Sequence, residues 1–193
     1  THIEFEGEKL FELLLTKEQI GHILAVLRKH QIPMVLEGPN YIYVDEKDFA
    51  DDPYVIYLRN ELGENLKSIT GTAQYEVNKL SAELGNADVE LVRKELGTEF
   101  DMIVHEPDGI LEIGQAGHSK ASGIERLCAS LGIAKEDTYA FGDSANDVEM
   151  LEFVAHGIAM GNGTDVAKNA AEFVTTDIHK DGIWNGLKHY GLI

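Results

Sequence analysis

The sequence has 193 residues, of which 44% are hydrophobic, so it can bury an ordinary core and is not of the disordered class. The formal net charge is −18, from 34 acidic and 16 basic residues. This charge argues against nucleic acid and anionic membranes as partners, because both would be repelled. We expect a small ligand instead, with a cation offsetting its negative charge.

Cellular location is indicated by what the sequence lacks. Cys128 is the single cysteine, so no intrachain disulfide can form and a reducing compartment is favoured. No apolar run is long enough to span a membrane, and the N-terminus shows no signal-peptide pattern. These features predict a cytoplasmic protein.

The first 110 residues alternate irregularly between hairpins and helices. A hairpin around Gly7 is followed by a capping box, Thr16 to Gln19, which opens a helix with a regular apolar face. In chain order, the further predictions are strands at 32–36 and 41–45, partial helix at 48–62, a strand at 75–80, a helix at 88–96 and strands at 100–105 and 110–113. The turn between the last two strands is Pro107-Asp108-Gly109.

After Ile113 the pattern becomes a strict alternation of helix and strand. The predicted helices are 119–131, 145–154, 164–171 and 181–190, and the strands are 138–142, 157–160 and 173–176. Such alternation is typical of a doubly wound parallel sheet in an α/β protein. On the last helix we expect Ile183, Leu187 and Tyr190 to face inward, with Trp184 beside them.

Polar residues cluster where strand 138–142 ends. Asp143 follows the strand, and Asn146 and Asp147 fall in the first turn of the next helix. Lys120 opens the preceding helix, which should run antiparallel to the strand, so its ammonium is expected at the same sheet edge. Open α/β sheets bind ligands at this edge.

Each of these side chains suits phosphate chemistry. Asp143 would be a hard oxygen ligand for Mg²⁺, Lys120 would neutralise phosphate charge and Asn146 could donate to a phosphate oxygen. Asp147 could orient Lys120 or metal-bound water. Asp is also a common helix cap and a lone lysine is usually solvated, but their combination favours a site.

Three segments together carry a family resemblance. Residues 117–121 (GHSKA), 142–147 (GDSAND) and 159–163 (AMGNG) closely resemble the last motifs of haloacid dehalogenase-type phosphatases. The most similar subgroup is the Cof-like one, which has a large α/β cap. The resemblance implies Mg²⁺-dependent hydrolysis of a small phosphomonoester through an aspartyl-phosphate. Lys120 matches the family's motif lysine, Asp143 its metal-binding acid and Asp147 the second acid of that loop.

The family's nucleophile motif is missing from the sequence. Such phosphatases carry two Asp residues two positions apart at the end of the first core strand, and no two Asp residues here have that spacing. In family order the motif would precede residue 1, so we expect an upstream segment in the complete protein. Strand 138–142 would otherwise have an open edge.

The predicted organisation is therefore a partial, Rossmann-like doubly wound core with an inserted α+β cap. Residues 1–15 form a core hairpin or linker, 16–110 the cap and 111–193 the C-terminal half of the core. The alternative function is a non-catalytic binding or regulatory module that retains the fold. A nucleotide-binding α/β domain is a weaker alternative, because no glycine-rich dinucleotide or phosphate loop follows any strand.

Overall fold

Two compact units make up the chain, residues 1–117 and residues 118–193. The computed structural model describes residues 2–69, 75–105 and 109–193, without the side chains of residues 47 and 48. In neither unit do the described residues include a helix long and apolar enough to cross a bilayer.

The first unit is built on an antiparallel hairpin and a six-stranded sheet. Its elements are β1 His2–Phe5, β2 Glu8–Glu12, α1 Lys17–Lys29, β3 Met34–Glu37, β4 Ile42–Val44, α2 Glu46–Phe49, α3 Pro53–Leu62, β5 Leu66–Ser68, β6 Lys79–Glu83, α4 Val89–Leu96, β7 Phe100–His105 and β8 Ile110–Gln115. The large sheet has the order β5-β4-β3-β6-β8-β7, and β4–β5 is its parallel pair.

Helix α1 begins and packs as its sequence predicts. The amide of Gln19 donates to the Thr16 hydroxyl at 3.2 Å, and the Gln19 side chain accepts from the Thr16 amide at 2.9 Å. Ile23 and Leu27 are fully buried on the face that meets the sheet. The capping box thus fixes the start of the helix, and the apolar stripe fixes its rotation.

The strand predicted at 75–80 begins later, at Lys79. Residues before it are held by the segment that follows β2: the Leu15 amide donates to the Val77 carbonyl at 2.7 Å, and the Asn78 side chain to the Leu13 carbonyl at 2.8 Å. Lys79 is the first residue that pairs with both neighbours in the sheet. Alternation alone could not show which residues find a strand partner.

The predicted boundary at 110/111 falls at the start of a paired strand. Strand β8 bonds to both β6 and β7, so residues 110–115 belong to the large sheet and the units divide after Gly117. Strands β1 and β2, predicted to belong with the core, fall within residues 1–117. Of the predicted turn at 107–109, residues 107 and 108 lie outside the described residues.

The second unit is the predicted α/β alternation. Its elements are α5 Lys120–Leu131, β9 Tyr139–Gly142, α6 Val148–Phe153, β10 His156–Ala159, α7 Asp165–Ala170, β11 Phe173–Val174 and α8 Gly182–His189. The three strands are parallel, in the order β11-β10-β9. Within the described residues, β9 lies at the edge of this sheet and pairs with β10 alone.

Helix α8 packs through a different face from the one predicted. Ile183 is 46% exposed and Trp184 is 52% exposed, while Leu187 and Tyr190 are half-buried. The buried face carries Gly182 and Gly186. A Cβ at Gly186 would lie 2.5 Å from Phe141 Cε1, so the helix approaches β9 through a missing side chain. A search for apolar side chains along the helix does not detect this face, because glycine has no side chain.

Candidate active site

The turn after β9 folds back onto its own strand. Gly142 ends the strand, and residues 145–147 form a 3₁₀ turn that leads into α6. A Cβ at Gly142 would lie 2.6 Å from the Asp147 Cβ, so only glycine lets the turn close this tightly. Asp147 is 4% exposed, and its Oδ2 accepts from the amides of Asp143 at 2.9 Å and Ser144 at 3.2 Å.

Lys120 completes the environment of this buried carboxylate. It is the first residue of α5, where the N-cap Ser119 accepts from the Ser122 amide at 3.3 Å. The Lys120 ammonium donates to Asp147 Oδ1 at 2.5 Å, and the lysine side chain is half exposed. The structure therefore brings Lys120 and Asp147 together, as the sequence predicts. Their roles in a reaction stay predictions.

Asp147 remains ionised despite its burial. Loss of hydration acts to raise the pKa of this carboxyl, but the hydrogen bond from Lys120, those from the Asp143 and Ser144 amides and the charge of Lys120 outweigh it. The pKa of Asp147 consequently lies below its ordinary value. Three donors, one of them the Lys120 cation, thus stabilise a single negative charge at the base of the turn.

Asp143 presents the opposite environment. Its side chain is exposed at the carboxyl end of β9, and none of the described residues donates a hydrogen bond to its carboxylate. A free carboxylate is the kind of ligand that Mg²⁺ takes in ones or twos while keeping several waters. The described residues contain no group of three or more acidic, His or Cys side chains able to enclose a metal. Asp143 therefore fits Mg²⁺ as one ligand of an open site.

The two asparagines near the turns differ in what they leave available. Asn146 Oδ1 accepts from the Ser144 hydroxyl at 2.6 Å, so its amide nitrogen remains as the donor that a phosphate oxygen would need. Asn162 Oδ1 accepts from the Ile178 amide at 2.9 Å, which ties the turn after β10 to the segment after β11. Ser144, which orients Asn146, was not singled out from the sequence. The sequence feature that could have identified Ser144 is its place in the polar run 143–147.

The neighbouring turn, residues 160–164, also contacts the site. The Thr164 amide donates to the Asp143 carbonyl at 2.8 Å. The sequence analysis used residues 159–163 as a motif but did not single out Thr164, although a threonine before a helical run is a common N-cap signal.

Comparison with known proteins shows the family of this chain. The sequence profile of haloacid dehalogenase-like hydrolases matches residues 1–187. A phosphoglycolate phosphatase of Halobacterium salinarum is 30% identical over 193 aligned residues, which cover 84% of this chain and 85% of that protein. The 5-amino-6-(5-phospho-D-ribitylamino)uracil phosphatase YitU of Bacillus subtilis is 36% identical over 138 residues, 69% of this chain but 47% of that protein.

Solved structures show the same fold. A hypothetical protein of Geobacillus kaustophilus superposes with a TM-score of 0.81 at 31% identity, covering all of this chain and 74% of that one. A sugar phosphatase of the superfamily's subclass IIB superposes with a TM-score of 0.82 at 23% identity, covering all of this chain and 73% of that structure. The predicted α/β fold is thereby confirmed.

Proposed function

Because the chain belongs to the haloacid dehalogenase-like hydrolase family, we propose that it supplies part of the active site of a Mg²⁺-dependent phosphatase. The substrate we propose is a small phosphorylated metabolite, a phosphomonoester. The observation that carries the proposal is the turn after β9, where Asp147 pairs with Lys120 and accepts from the amide of Asp143, whose side chain is exposed. The phosphatase activities of the two named relatives support the same reaction class.

In this proposal the residues of the turn divide the work. Asp143 holds a divalent cation, which when bound supplies positive charge that stabilises the phosphoryl group in transfer. Lys120 places its ammonium against the phosphoryl oxygens. The Asp147 carboxylate holds that ammonium in position and balances its positive charge. Asn146 donates its amide N–H to a further phosphoryl oxygen. These roles need positioned charge rather than proton transfer, which suits phosphoryl transfer.

The nucleophile of the proposed aspartyl-phosphate is not identified among the 193 residues, since no Asp pair has the required spacing. The first unit, including the predicted cap at 16–110, is proposed to select the substrate. A binding module without turnover is the competing proposal, and the same missing pair favours it. The two proposals differ in whether the protein releases phosphate.

The test is phosphate release by the protein expressed from its complete reading frame, measured against a panel of small phosphomonoesters with and without Mg²⁺. We expect turnover that requires Mg²⁺ and is abolished in Asp143→Asn, which keeps the size of the side chain but removes its charge. Asp165→Asn, an exposed acid in the first turn of α7, is the matched control. Full activity in Asp143→Asn, or no turnover of any substrate, would contradict the proposal.

A further inference from the structure

Asp143 has an exposed carboxylate, and the contacts that orient this residue are made by its backbone. None of the described residues donates a hydrogen bond to the carboxylate itself, so the hydrogen bonds that hold Asp143 are those of its main chain. A metal ligand without an outer hydrogen bond usually loses affinity, because the free side chain must be ordered when the ion binds. The contacts that immobilise the Asp143 backbone therefore affect the affinity for a metal ion.

One side of the Asp143 backbone is held within its own turn. The Asp143 amide donates to Asp147 Oδ2 at 2.9 Å, and the other oxygen of that carboxylate accepts from Lys120. Asp147 is buried, so this contact is shielded from competing water. The amide plane before Asp143 is thus fixed.

The other side is held by the turn after β10. The Thr164 amide donates to the Asp143 carbonyl at 2.8 Å, and the Gly163 amide donates to the Met160 carbonyl at 2.9 Å, which closes the turn. Strand pairing brings the two turns side by side, since the Met160 amide donates to the Gly142 carbonyl at 2.9 Å. The peptide after Asp143 is therefore fixed by a different βα unit.

Gly163 makes this contact sterically possible. A Cβ at Gly163 would lie 2.9 Å from the Asp143 carbonyl oxygen and 3.0 Å from the Asp143 Cα. Both atoms are backbone, so they cannot rotate away as the end of a side chain could. Any larger residue would push the two turns apart and lengthen the bond from the Thr164 amide.

We propose that Gly163 and the Thr164 amide are positioning elements for Asp143, and that they set the affinity of the site for a divalent cation. The inference rests on the proposed function, because it takes Asp143 as a metal ligand. It assigns to the 159–163 motif a role in aiming the Asp143 carboxylate through the backbone.

The test is Mn²⁺ binding to the full-length protein. Binding is measured by titration calorimetry and by the electron paramagnetic resonance signal of free Mn²⁺. We expect Gly163→Ala to weaken binding by about 10- to 100-fold, the usual range when the outer support of a ligand is lost. Gly21→Ala is the matched control, since a Cβ there meets nothing within 4 Å and its helix lies in the other unit. It should leave Mn²⁺ affinity unchanged.

A second pair of variants tests the contact made by the Thr164 amide. Thr164 has a φ of −68°, which suits proline, and Thr164→Pro removes the amide donor and puts the ring Cδ against the Asp143 carbonyl in its place. Thr164→Ala removes the side-chain cap but keeps the donor. The loss of affinity in Thr164→Pro beyond that in Thr164→Ala reports the contribution of the whole contact between the Thr164 amide and the Asp143 carbonyl, and we expect it to be about 10-fold. Melting temperatures of all variants separate affinity from folding.

The results distinguish this inference from the proposed function. Unchanged Mn²⁺ binding in Asp143→Asn would overturn the assignment of Asp143 and the inference with it. Loss of binding in Asp143→Asn, together with wild-type affinity in both Gly163→Ala and Thr164→Pro, would overturn the inference alone. A lowered melting temperature with unaltered Mn²⁺ affinity would also overturn it, because the role would then be structural only.

Discussion

The two units differ in the kind of contact that specifies their structure. The first buries a continuous apolar core between α1, α4 and the large sheet, and its fully buried side chains include Leu27, Leu80 and Ile113. The second has a helix, α5, with no buried residue, although its larger apolar side chains are half-buried. Its precision lies in turns held by amides, glycines and one ion pair. Packing specifies the first unit, and hydrogen-bonded backbone specifies the site of the second.

The largest expected effect tests the contrast in packing. Leu27 is fully buried in the first unit, so Leu27→Ala should cost about 2–5 kcal/mol, from lost burial and the cavity left behind. Leu127 on α5 is half-buried, and Leu127→Ala should cost about 1 kcal/mol or less. Native-state hydrogen exchange, analysed separately for the amides of each unit, measures both values. Equal losses would show that the units do not differ in packing.

Removal of the Lys120 ammonium should affect function more than folding. Lys120→Met keeps the aliphatic length but removes the charge proposed to meet the phosphoryl oxygens, so we expect phosphate release to fall about 100-fold. The pKa of Asp147 should rise, since loss of hydration would then be less opposed. Carboxyl ¹³C titration by NMR measures that pKa directly.

The sign of the pH dependence follows from the direction of that shift. A lowered folded-state pKa means that the Asp147 interactions stabilise the protein at neutral pH and are lost in acid, as pH falls through that pKa. Lys120→Met should weaken this acid dependence, since only the Asp143 and Ser144 amides would then lower the pKa of Asp147. Lys135→Met, which removes an ammonium 4.9 Å from the Phe153 ring, is the control and should change neither rate nor pKa. An unshifted Asp147 pKa in Lys120→Met would contradict the pairing.

Close packing through glycine gives a third test. Gly186→Ala should destabilise the second unit by about 1–3 kcal/mol, because the new methyl group would overlap the Phe141 ring. Gly123→Ala on α5 adds the same methyl into open space and should stabilise its helix by about 1 kcal/mol. Hydrogen exchange of β9 and α8 amides compares the two. Stabilisation by both substitutions would disprove the tight approach of α8 to β9.

The smallest effect concerns two tyrosines, one in each unit. Burial, reinforced by nearby Glu37 and Glu83, raises the pKa of Tyr54 to about 12. Burial and a hydrogen bond to Glu172 raise the pKa of Tyr190 to about 12. A raised phenol pKa contributes stability that is complete below the ordinary value of 10.0 and is lost as pH rises towards 12.

Ultraviolet titration of tyrosine near 295 nm can separate the effect of burial from that of the hydrogen bond to Glu172. Glu172→Gln should bring the pKa of Tyr190 back towards its ordinary value and leave that of Tyr54 unchanged. Tyr54→Phe and Tyr190→Phe identify which late-titrating phenol is which. If Glu172→Gln shifted neither pKa, the hydrogen bond from Tyr190 to Glu172 would not be responsible.

Local signals in the sequence determined much of this protein. The capping box at Thr16 and the alternation after Ile113 predicted elements that the structure contains, because each depends on residues close in the chain. The crossover rule placed Lys120 near the acids after β9, and its ion pair with Asp147 agrees with that expectation.

Tertiary structure alone decided the features that depend on distant partners. The start of β6, the place of β8 in the large sheet and the glycine face of α8 each depend on which chain segments meet across the fold. The same holds for the bond from the Thr164 amide to the Asp143 carbonyl, which joins two turns through strand pairing. Propensity and periodicity act within a segment, whereas pairing register and close approach are set between segments, so the sequence pattern carries little trace of them.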